Sequence, residues 1–343
     1  MKEIIKDVDA WLSSGETEIA LATVLSTWGS APRKIGAKMA CTATGAAISG
    51  SVSGGCIEGA VIAAGDEVLA NGQPQLLRFG VADETAWEVG LACGGTIEVF
   101  VERLDIPIYS VAREWVINSK QGTIVTVVGG SEKGLGRKVA IEDGHIVAGS
   151  LGPLLDETAM ALVIEGAPTG VYMGQEKTDL FLDGVRPWPQ LVIIGGAHIA
   201  VILAQLGKLL GYRVVVIDPR RAFGNQVRFP DVDQLIQSWP GKALAGHPLS
   251  TESAIVTLSH DPKIDDPALQ AALNSPAFYI GALGSRRTHA RRCERLVNMG
   301  YKEKDLARIH APVGLDIGAD NPEEIALAIM GEIVAAYREK VGR

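Results

Sequence analysis

Apolar and polar positions follow two different patterns on either side of a proline-rich stretch at residues 186–189. After this stretch, short apolar runs alternate with segments of helical periodicity, which predicts parallel strands joined by helices. The predicted strands are 191–194, 213–218, 254–258 and 278–282. The predicted helices are 198–210, 267–273, 285–299 and 322–340. This alternation is typical of a Rossmann-like, doubly wound parallel sheet, and it defines a C-terminal domain over residues 190–343.

The pattern before the proline-rich stretch predicts a separate N-terminal α/β domain over residues 1–186. Helical spacing of apolar residues predicts a helix near residues 4–12, and a second helix is expected at 57–69. The predicted strands are 19–25, 46–48, 96–101 and 124–128. Asp143-Gly144 joins two further apolar segments, 138–142 and 145–148, as a β-hairpin. No internal repeat is recognisable in the sequence.

Composition narrows the class of protein. The chain has 343 residues, 47% of them hydrophobic and 21% charged, as in an ordinary globular protein. Its net charge of −8 argues against nonspecific binding to nucleic acid or to an acidic membrane. The N-terminal residues lack the apolar core of a secretory signal, and the longest apolar stretch, near 191–206, is interrupted by Gly195-Gly196 and His198. With only four cysteines, these features predict a cytoplasmic protein in a reducing environment.

Two of the cysteines lie beside glycine pairs, in Gly54-Gly55-Cys56-Ile57-Glu58 and in Cys93-Gly94-Gly95. Glycine allows positive φ and a close approach of a ligand to the backbone, so this setting favours thiols that face a ligand. Three alternatives remain: buried structural cysteines, tight turns between strands, and a disulfide between Cys56 and Cys93. The absence of a Cys-x-x-Cys motif disfavours zinc.

A glycine turn, Gly195-Gly196-Ala197-His198, follows the first predicted strand of the C-terminal domain, and Asp218 ends the next one. In dinucleotide-binding domains such a turn receives the pyrophosphate at a helix N-terminus, and the acid binds ribose hydroxyls. Ala197 replaces the second glycine of this fingerprint and adds a methyl group where the pyrophosphate would approach. A Rossmann domain without a dinucleotide therefore remains an alternative. His198 is a candidate hydrogen-bonding residue or a cap of its own loop.

Two more polar clusters follow later strands of the predicted sheet. One is Ser259-His260-Asp261, and the other is Gly284-Ser285-Arg286, which opens a helix. Ligands of open α/β sheets gather where the strands end, and a glycine-serine turn with arginines at a helix N-terminus favours an anion. These residues are therefore predicted to contribute to a binding site.

Taken together, these motifs resemble the XdhC/CoxI family, the accessory proteins of xanthine dehydrogenase and related molybdenum hydroxylases. The resemblance spans most of the chain and is carried by Gly-Ser-Val-Ser-Gly-Gly-Cys-Ile-Glu at 50–58, Cys93-Gly94-Gly95, the turn at 195–200, the segment 281–287 and Ala-Pro-Val-Gly-Leu-Asp-Ile-Gly at 311–318. One departure is the turn itself, which usually reads Gly-Ala-Gly-His in the family.

The resemblance implies a chaperone that binds molybdenum cofactor (molybdopterin or its nucleotide form) and passes it to an apo molybdenum hydroxylase. Cofactor biosynthesis or sulfuration proteins are further expected partners, and a homodimer is expected from base rates. On this interpretation Cys56 or Cys93 contacts the molybdenum, Glu58 orients the thiol, and Arg33 and Lys38 contact the phosphate end. The predicted cofactor-binding residues are Arg33, Lys38, Gly54, Gly55, Cys56, Glu58, Cys93, Gly94, Gly95, Gly195, Gly196, His198, Asp218, His260, Gly284, Ser285 and Arg286.

Two other functions are compatible with the sequence. An NAD(P)-dependent oxidoreductase would use the Rossmann half, with His198 or His260 as the acid–base residue. A structural or regulatory scaffold would leave the Rossmann half empty, and replacement of Cys56 or Cys93 with alanine would change stability alone.

Overall fold

The computed structural model describes residues 1–29, 33–80, 95–130 and 134–341. The chain separates into two compact units, Met1–Pro187 and Trp188–Arg343. Within the described ranges, every helix is too short or too polar to cross a membrane.

The first unit contains two five-stranded antiparallel sheets with helices packed on them. The strands of the first sheet are β1 (Ile19–Trp28), β2 (Lys38–Thr42), β3 (Ile48–Gly50), β4 (Gln75–Phe79) and β5 (Thr96–Arg103). Those of the second are β6 (Gly122–Gly129), β7 (Lys138–Glu142), β8 (His145–Gly149), β9 (Gly170–Met173) and β10 (Asp179–Val185). The helices are α1 (Ile5–Ser13), α2 (Glu58–Asn71), α3 (Ile106–Ile117) and α4 (Pro153–Ile164).

These elements form an internal structural repeat, which is not recognisable in the sequence. The first repeat (residues 5–103) runs α1-β1-β2-β3-α2-β4-β5, and the second (residues 106–185) runs α3-β6-β7-β8-α4-β9-β10. The strand orders β3-β2-β1-β5-β4 and β8-β7-β6-β10-β9 correspond position by position. Registers correspond as well, since Thr23 pairs with Lys38 as Thr126 pairs with Lys138. The repeats share only short matches, such as Lys-x-Ala in β2 and β7, too few to reveal the repeat in the sequence.

Two buried ion pairs join the repeats reciprocally. Lys38 of the first repeat lies with its Nζ 2.9 Å from the carboxylate of Asp183 in the second. Lys138 of the second repeat, the counterpart of Lys38, pairs with Glu102 of the first. All four residues are less than a tenth exposed. A buried charge needs a partner, so each repeat depends on the other for charge neutralisation.

The second unit is a six-stranded parallel sheet with helices on both faces. Its strands are β11 (Gln190–Ile194), β12 (Arg213–Ile217), β13 (Gln234–Ile236), β14 (Ser253–Thr257), β15 (Tyr279–Ala282) and β16 (Ile309–His310). Its helices are α5 (His198–Leu209), α6 (Pro240–Ala245), α7 (Pro262–Leu273), α8 (Arg286–Asn298), α9 (Glu303–Leu306) and α10 (Pro322–Lys340). The strand order is β13-β12-β11-β14-β15-β16, which is the Rossmann order and confirms the predicted fold.

The central strand β11 shows why the sequence folds this way. Leu191, Val192, Ile193 and Ile194 are all fully buried, and they alternate between the two cores on opposite faces of the sheet. A strand buried on both faces is continuously apolar, as parallel strands are. Successive strands are added outward from β11 on one side and from β14 on the other, so the ends of these two parallel strands form the switch point where ligands of open α/β sheets bind.

The start of α7 differs from the prediction at residue 267. The helix begins at Pro262, because the side chain of Asp261 caps it by accepting a hydrogen bond from the Lys263 N–H at 2.9 Å. Proline is well tolerated in the first turn, where its missing N–H has no intrahelical partner. Pro267 lies inside the helix instead.

Candidate functional site

A glycine-cysteine loop, residues 51–57, connects β3 to α2. Gly54 and Gly55 have φ of +81° and +116°, a region that favours glycine. A Cβ added at Gly55 would meet no atom of the described residues within 4 Å, so those residues leave this side of the loop uncovered. Cys56 follows directly; it is partly exposed and packs against the edge of the core beneath the first sheet. Among the described residues its sulfur makes no hydrogen bond, and Cys56 is a free cysteine.

The carboxylate of Glu58, at the start of α2, holds this loop in place. It accepts hydrogen bonds from six donors of the loop at 2.5–3.3 Å. Two are the hydroxyls of Ser51 and Ser53. The other four are consecutive backbone N–H groups, of Val52, Ser53, Gly54 and Gly55. Burial opposes ionisation of Glu58, but the hydrogen bonds from Ser53 and Ser51 outweigh it and lower its pKa to about 2. Glu58 therefore fixes the backbone of the loop that leads into Cys56, and its role in orienting the thiol stays a prediction.

The second repeat shows how the same connection is made without such a loop. There Asp156 accepts hydrogen bonds from the Ser150 hydroxyl at 2.6 Å and the Leu151 N–H at 2.7 Å, as Glu58 does at the matching positions of the first repeat. Helix α4 begins at Pro153, directly after Gly152. The fold can thus pass from strand to helix without a glycine pair or a cysteine, so the sequence Gly54-Gly55-Cys56 is not a requirement of the architecture.

The low pKa of Glu58 predicts a specific dependence of stability on pH. A carboxyl group whose pKa is lowered by folding stabilises the protein above its unfolded-state pKa, and this stabilisation disappears as pH falls through its folded-state pKa. We expect the stability difference between the wild type and Glu58→Gln to be constant above about pH 5 and to shrink between the ordinary pKa of 4.5 and about 2. Urea unfolding of both proteins over this pH range measures it. A difference that is independent of pH would contradict the described network.

The basic residues predicted with this loop are separated by the structure. Arg33 lies beside the loop, since its Nε donates to the Ser51 carbonyl oxygen at 3.0 Å and its guanidinium pairs with Glu3. Lys38 is buried, bonded to Thr23 and paired with Asp183. A phosphate contact by Lys38 would require a buried ion pair to break, so this part of the prediction is corrected.

The second predicted thiol lies outside the described residues. Cys93 and Gly94 belong to the segment 81–94, while Gly95 is described and buried directly before β5. The association of Cys93 with Cys56 therefore stays a prediction.

The glycine turn of the second unit is enclosed by the protein's own groups. Gly195 has a φ of +95°, and a Cβ on it would lie 3.0 Å from the side chain of Ser259. The Gly196 N–H donates to Asp218 at 2.7 Å, and its carbonyl accepts a hydrogen bond from Arg228 at 3.0 Å. A Cβ on Gly196 would lie 2.5 Å from the Phe223 carbonyl oxygen. Both backbone polar groups of Gly196 are thus already used by the protein.

Asp218 is fully buried and does not face an open site. Besides Gly196, its carboxylate accepts hydrogen bonds from the backbone N–H, Nε and Nη2 of Arg220, at 2.8, 3.0 and 2.7 Å. Burial opposes its ionisation, and the hydrogen bonds from Arg220 and Gly196 outweigh this and lower the pKa of Asp218. The predicted ribose contact is corrected, because the protein itself occupies both carboxylate oxygens.

The remaining predicted residues lie where the parallel strands end, which we call the carboxyl edge. His198 is exposed, with its Nε2 3.8 Å from a carboxylate oxygen of Glu323. His260 follows β14, is exposed, and has a positive φ of +61°. Ser285 caps α8 by accepting a hydrogen bond from the Thr288 N–H at 3.2 Å, after Gly284 with φ +131°.

Two arginines at the start of α8 are available to a ligand. Arg286 and Arg287 are exposed, and neither forms an ion pair with another described residue. Their position at a helix N-terminus after a glycine turn is compatible with an anion.

One polar cluster of the second unit, beside α10, is missed by the sequence analysis. It consists of Tyr279 in β15, His310 at the end of β16, and Glu332 in α10. The signal available in the sequence is an acidic residue inside the apolar helical run 325–334. Such a residue is expected to have buried partners, but the sequence does not show which.

With the geometry described, comparison with known proteins identifies the family. The profile described as "XdhC Rossmann domain" matches residues 191–333, and that of the "XdhC and CoxI family" matches residues 11–80. A protein of Bacillus subtilis, named as a probable subunit of xanthine dehydrogenase, is 31% identical over 336 residues, covering 95% of each chain. The chain belongs to the XdhC and CoxI family. This confirms the resemblance inferred from the motifs.

Two further relatives extend the family comparison. The "Molybdenum cofactor insertion chaperone PaoD" of Escherichia coli is 29% identical over 325 residues, covering 94% of this chain and 85% of PaoD. A crystal structure of a Bacillus halodurans protein described as a xanthine dehydrogenase has a TM-score of 0.77 and 23% identity, covering 97% of this chain and 96% of that one. At this identity the solved structure supports the fold alone.

Proposed function

We propose that this protein binds molybdenum cofactor and delivers it to a molybdenum hydroxylase of the xanthine dehydrogenase type. The observation that carries the proposal is the glycine-cysteine loop. It leaves Cys56 partly exposed in the first repeat, whereas the second repeat makes the same connection without a cysteine. The family membership and the name of PaoD, an insertion chaperone, support the same function.

The chemistry of the cargo suits this loop. Molybdenum cofactor carries a soft, oxidisable metal–dithiolene centre, a pterin ring and a phosphate. Soft thiolate ligands suit such a centre, and the described residues leave the side of the loop at Gly55 uncovered, beside Cys56. We propose that Cys56 contacts the molybdenum, while Glu58 keeps the loop in one conformation.

The carboxyl edge of the second unit offers the groups expected for an anion. Arg286 and Arg287 are exposed beside the Gly284 turn, and a phosphate there would gain two charged donors. We propose that these residues contribute to binding of the phosphate or of an added nucleotide.

The partner follows from the cargo. An apo molybdenum hydroxylase is the expected recipient, in line with the name of the Bacillus subtilis relative. Partners for biosynthesis or sulfuration of the cofactor, a homodimer and a cytoplasmic location stay predictions.

The alternative of an NAD(P)-dependent oxidoreductase is disfavoured by the glycine turn. A dinucleotide needs the turn's N–H groups and the acid after the second strand, and here Gly196 and Asp218 bind each other. The arrangement of the strands is that of a dinucleotide-binding domain. However, the Gly196 N–H and the Asp218 carboxylate, which would contact the dinucleotide, are already hydrogen-bonded within the protein.

Anaerobic ultrafiltration of the wild-type protein with free molybdenum cofactor tests the proposal. We expect retention of about one cofactor per chain, and transfer to an apo-hydroxylase that gains activity without free cofactor. Nicotinamide fluorescence with NADH and NADPH is expected to show no binding. Failure to retain the cofactor, or tight nicotinamide binding with reduction of a carbonyl compound, would overturn the proposed function.

A further inference from the structure

In the cluster of Tyr279, His310 and Glu332, the imidazole of His310 is held in one tautomer. The Oε2 atom of Glu332 accepts hydrogen bonds from the Tyr279 hydroxyl at 2.6 Å and the Gly314 N–H at 2.7 Å. Its Oε1 atom lies 2.9 Å from Nδ1 of His310. The rings of Tyr279 and His310 pack together with their centroids 4.6 Å apart. The imidazole is therefore held by a carboxylate on one edge and by an aromatic ring on one face.

The charge of Glu332 decides the tautomer of His310. Burial opposes ionisation of Glu332, but hydrogen bonds from Tyr279, Gly314 and His310 lower its pKa, so the group is a carboxylate at neutral pH. A carboxylate only accepts hydrogen bonds, so the hydrogen between the two residues belongs to Nδ1 of His310. When the imidazole is neutral, its Nε2 carries a lone pair and acts as an acceptor.

This acceptor has no partner among the described residues. The side chain of His310 is 39% exposed, whereas that of Tyr279 is buried. His310 is the last residue of β16 and pairs in register with Gly281, one residue before β15 ends, while its ring packs on Tyr279, the first residue of β15. An imidazole oriented by a carboxylate, with its second nitrogen open, is the arrangement of histidines that bind or exchange a proton with a ligand.

We propose that His310 accepts, through Nε2, a hydrogen bond from an N–H group of a heterocyclic ring bound at the exposed side of this cluster. The proposal rests on the proposed function, because the cargo carries a pterin ring with N–H groups. The base of an added nucleotide offers the same chemistry. Phosphate and metal–dithiolene groups lack such donors, so His310 would select for the ring.

Glu332→Gln tests the assignment with almost no change of shape. The Tyr279 hydroxyl and the Gly314 N–H both require an acceptor, so the amide oxygen of glutamine is expected to face them. The amide NH₂ then faces His310 and donates to Nδ1, which moves the ring hydrogen to Nε2. The variant thus converts Nε2 from an acceptor into a donor.

The tautomer is measured directly by ¹⁵N NMR of the full-length protein labelled at histidine, with His310→Asn to assign the signal. We expect Nδ1–H and an unprotonated Nε2 in the wild type, and the opposite in Glu332→Gln. This readout needs no cargo. A wild-type protein with hydrogen on Nε2 would overturn the proposal.

Cofactor retention is measured on the same proteins. We expect Glu332→Gln and His310→Asn each to weaken binding about tenfold, in line with the loss of one hydrogen bond. Tyr279→Phe is the matched control, because it removes a buried hydroxyl of the cluster and leaves His310 bonded to Glu332. Its affinity is expected to be unchanged while its stability falls.

The outcomes separate this inference from the proposed function. Retention by the wild type that is equal in Glu332→Gln and His310→Asn overturns the inference and leaves the proposed function intact. An equal loss in Tyr279→Phe assigns the cluster to structure and also overturns it. Molybdopterin and cytidine monophosphate, tested separately, distinguish a pterin from a nucleobase as the donor. No retention by the wild type overturns both proposals.

Discussion

Replacing Cys56 with alanine is expected to lower the affinity for molybdenum cofactor by at least about tenfold, and roughly a hundredfold if the thiol is the main metal ligand. The reason is chemical, since no described side chain beside the glycine-cysteine loop offers a second sulfur. Cys56→Ser replaces the soft sulfur with a hard oxygen and is expected to bind almost as weakly as alanine. Anaerobic ultrafiltration of the variants beside the wild type gives the ratio.

Cys41→Ala is the matched control for this experiment. Cys41 belongs to the same sheet but is buried, and burial raises the pKa of its thiol to about 11, so it offers no thiolate to a ligand. Its replacement is expected to lower stability and leave retention unchanged. Cys93→Ala tests the other predicted thiol. Full retention by Cys56→Ala would exclude Cys56 as the metal contact, and loss in the Cys93 variant alone would move the contact there.

Replacing Lys138 with methionine is expected to lower the free energy of unfolding by about 3–5 kcal/mol, because it leaves the carboxylate of Glu102 buried without a partner. Glu102 lies inside the first unit and is only 5% exposed, so water cannot replace the lost ammonium group. Urea unfolding of the full-length protein at neutral pH measures the change.

Two further variants show whether this loss comes from the buried charge. The double variant Lys138→Met with Glu102→Leu removes both charges and is expected to recover most of the stability, since apolar residues of similar volume can replace a buried pair. Lys208→Met breaks an ion pair with Asp233 that is about a third exposed, and is expected to cost at most about 1 kcal/mol. Equal losses from Lys138→Met and Lys208→Met would contradict a buried pair.

The sequence predicts the second unit better than the first, and the reason is physical. In a parallel sheet the central strands are buried on both faces, so runs such as residues 191–194 are apolar throughout and easily recognised. The antiparallel strands of the first unit include short edge strands. Residues 170–173, for example, alternate between partly buried and exposed, and the sequence analysis contains no strand there.

The sequence also predicts some parts of the candidate site better than others. Local chemistry predicts the glycine-cysteine loop, because positive φ and an adjacent thiol are properties of neighbouring residues. Distant partners decide the other assignments. The sequence suggests that Lys38 is a surface phosphate ligand, because it does not show that Asp183 lies beside it. It suggests that Asp218 is a ribose ligand, because it does not show that Gly196 and Arg220 already donate hydrogen bonds to its carboxylate. The role of His310 depends on Glu332, and their spacing in the chain gives no sign of it.

The reciprocal ion pairs have a consequence for the ancestry of the first unit. Lys38 and Glu102 belong to one repeat, and their counterparts Lys138 and Asp183 belong to the other. Two identical copies of the first repeat, placed as the repeats are here, would form the same two pairs by joining Lys38 of each copy to Glu102 of the other. Such an exchange is the signature of a self-complementary twofold interface. The first unit therefore has the construction of a homodimer whose two protomers are joined in one chain, with the Gly54-Gly55-Cys56 sequence in one half and the shorter connection in the other.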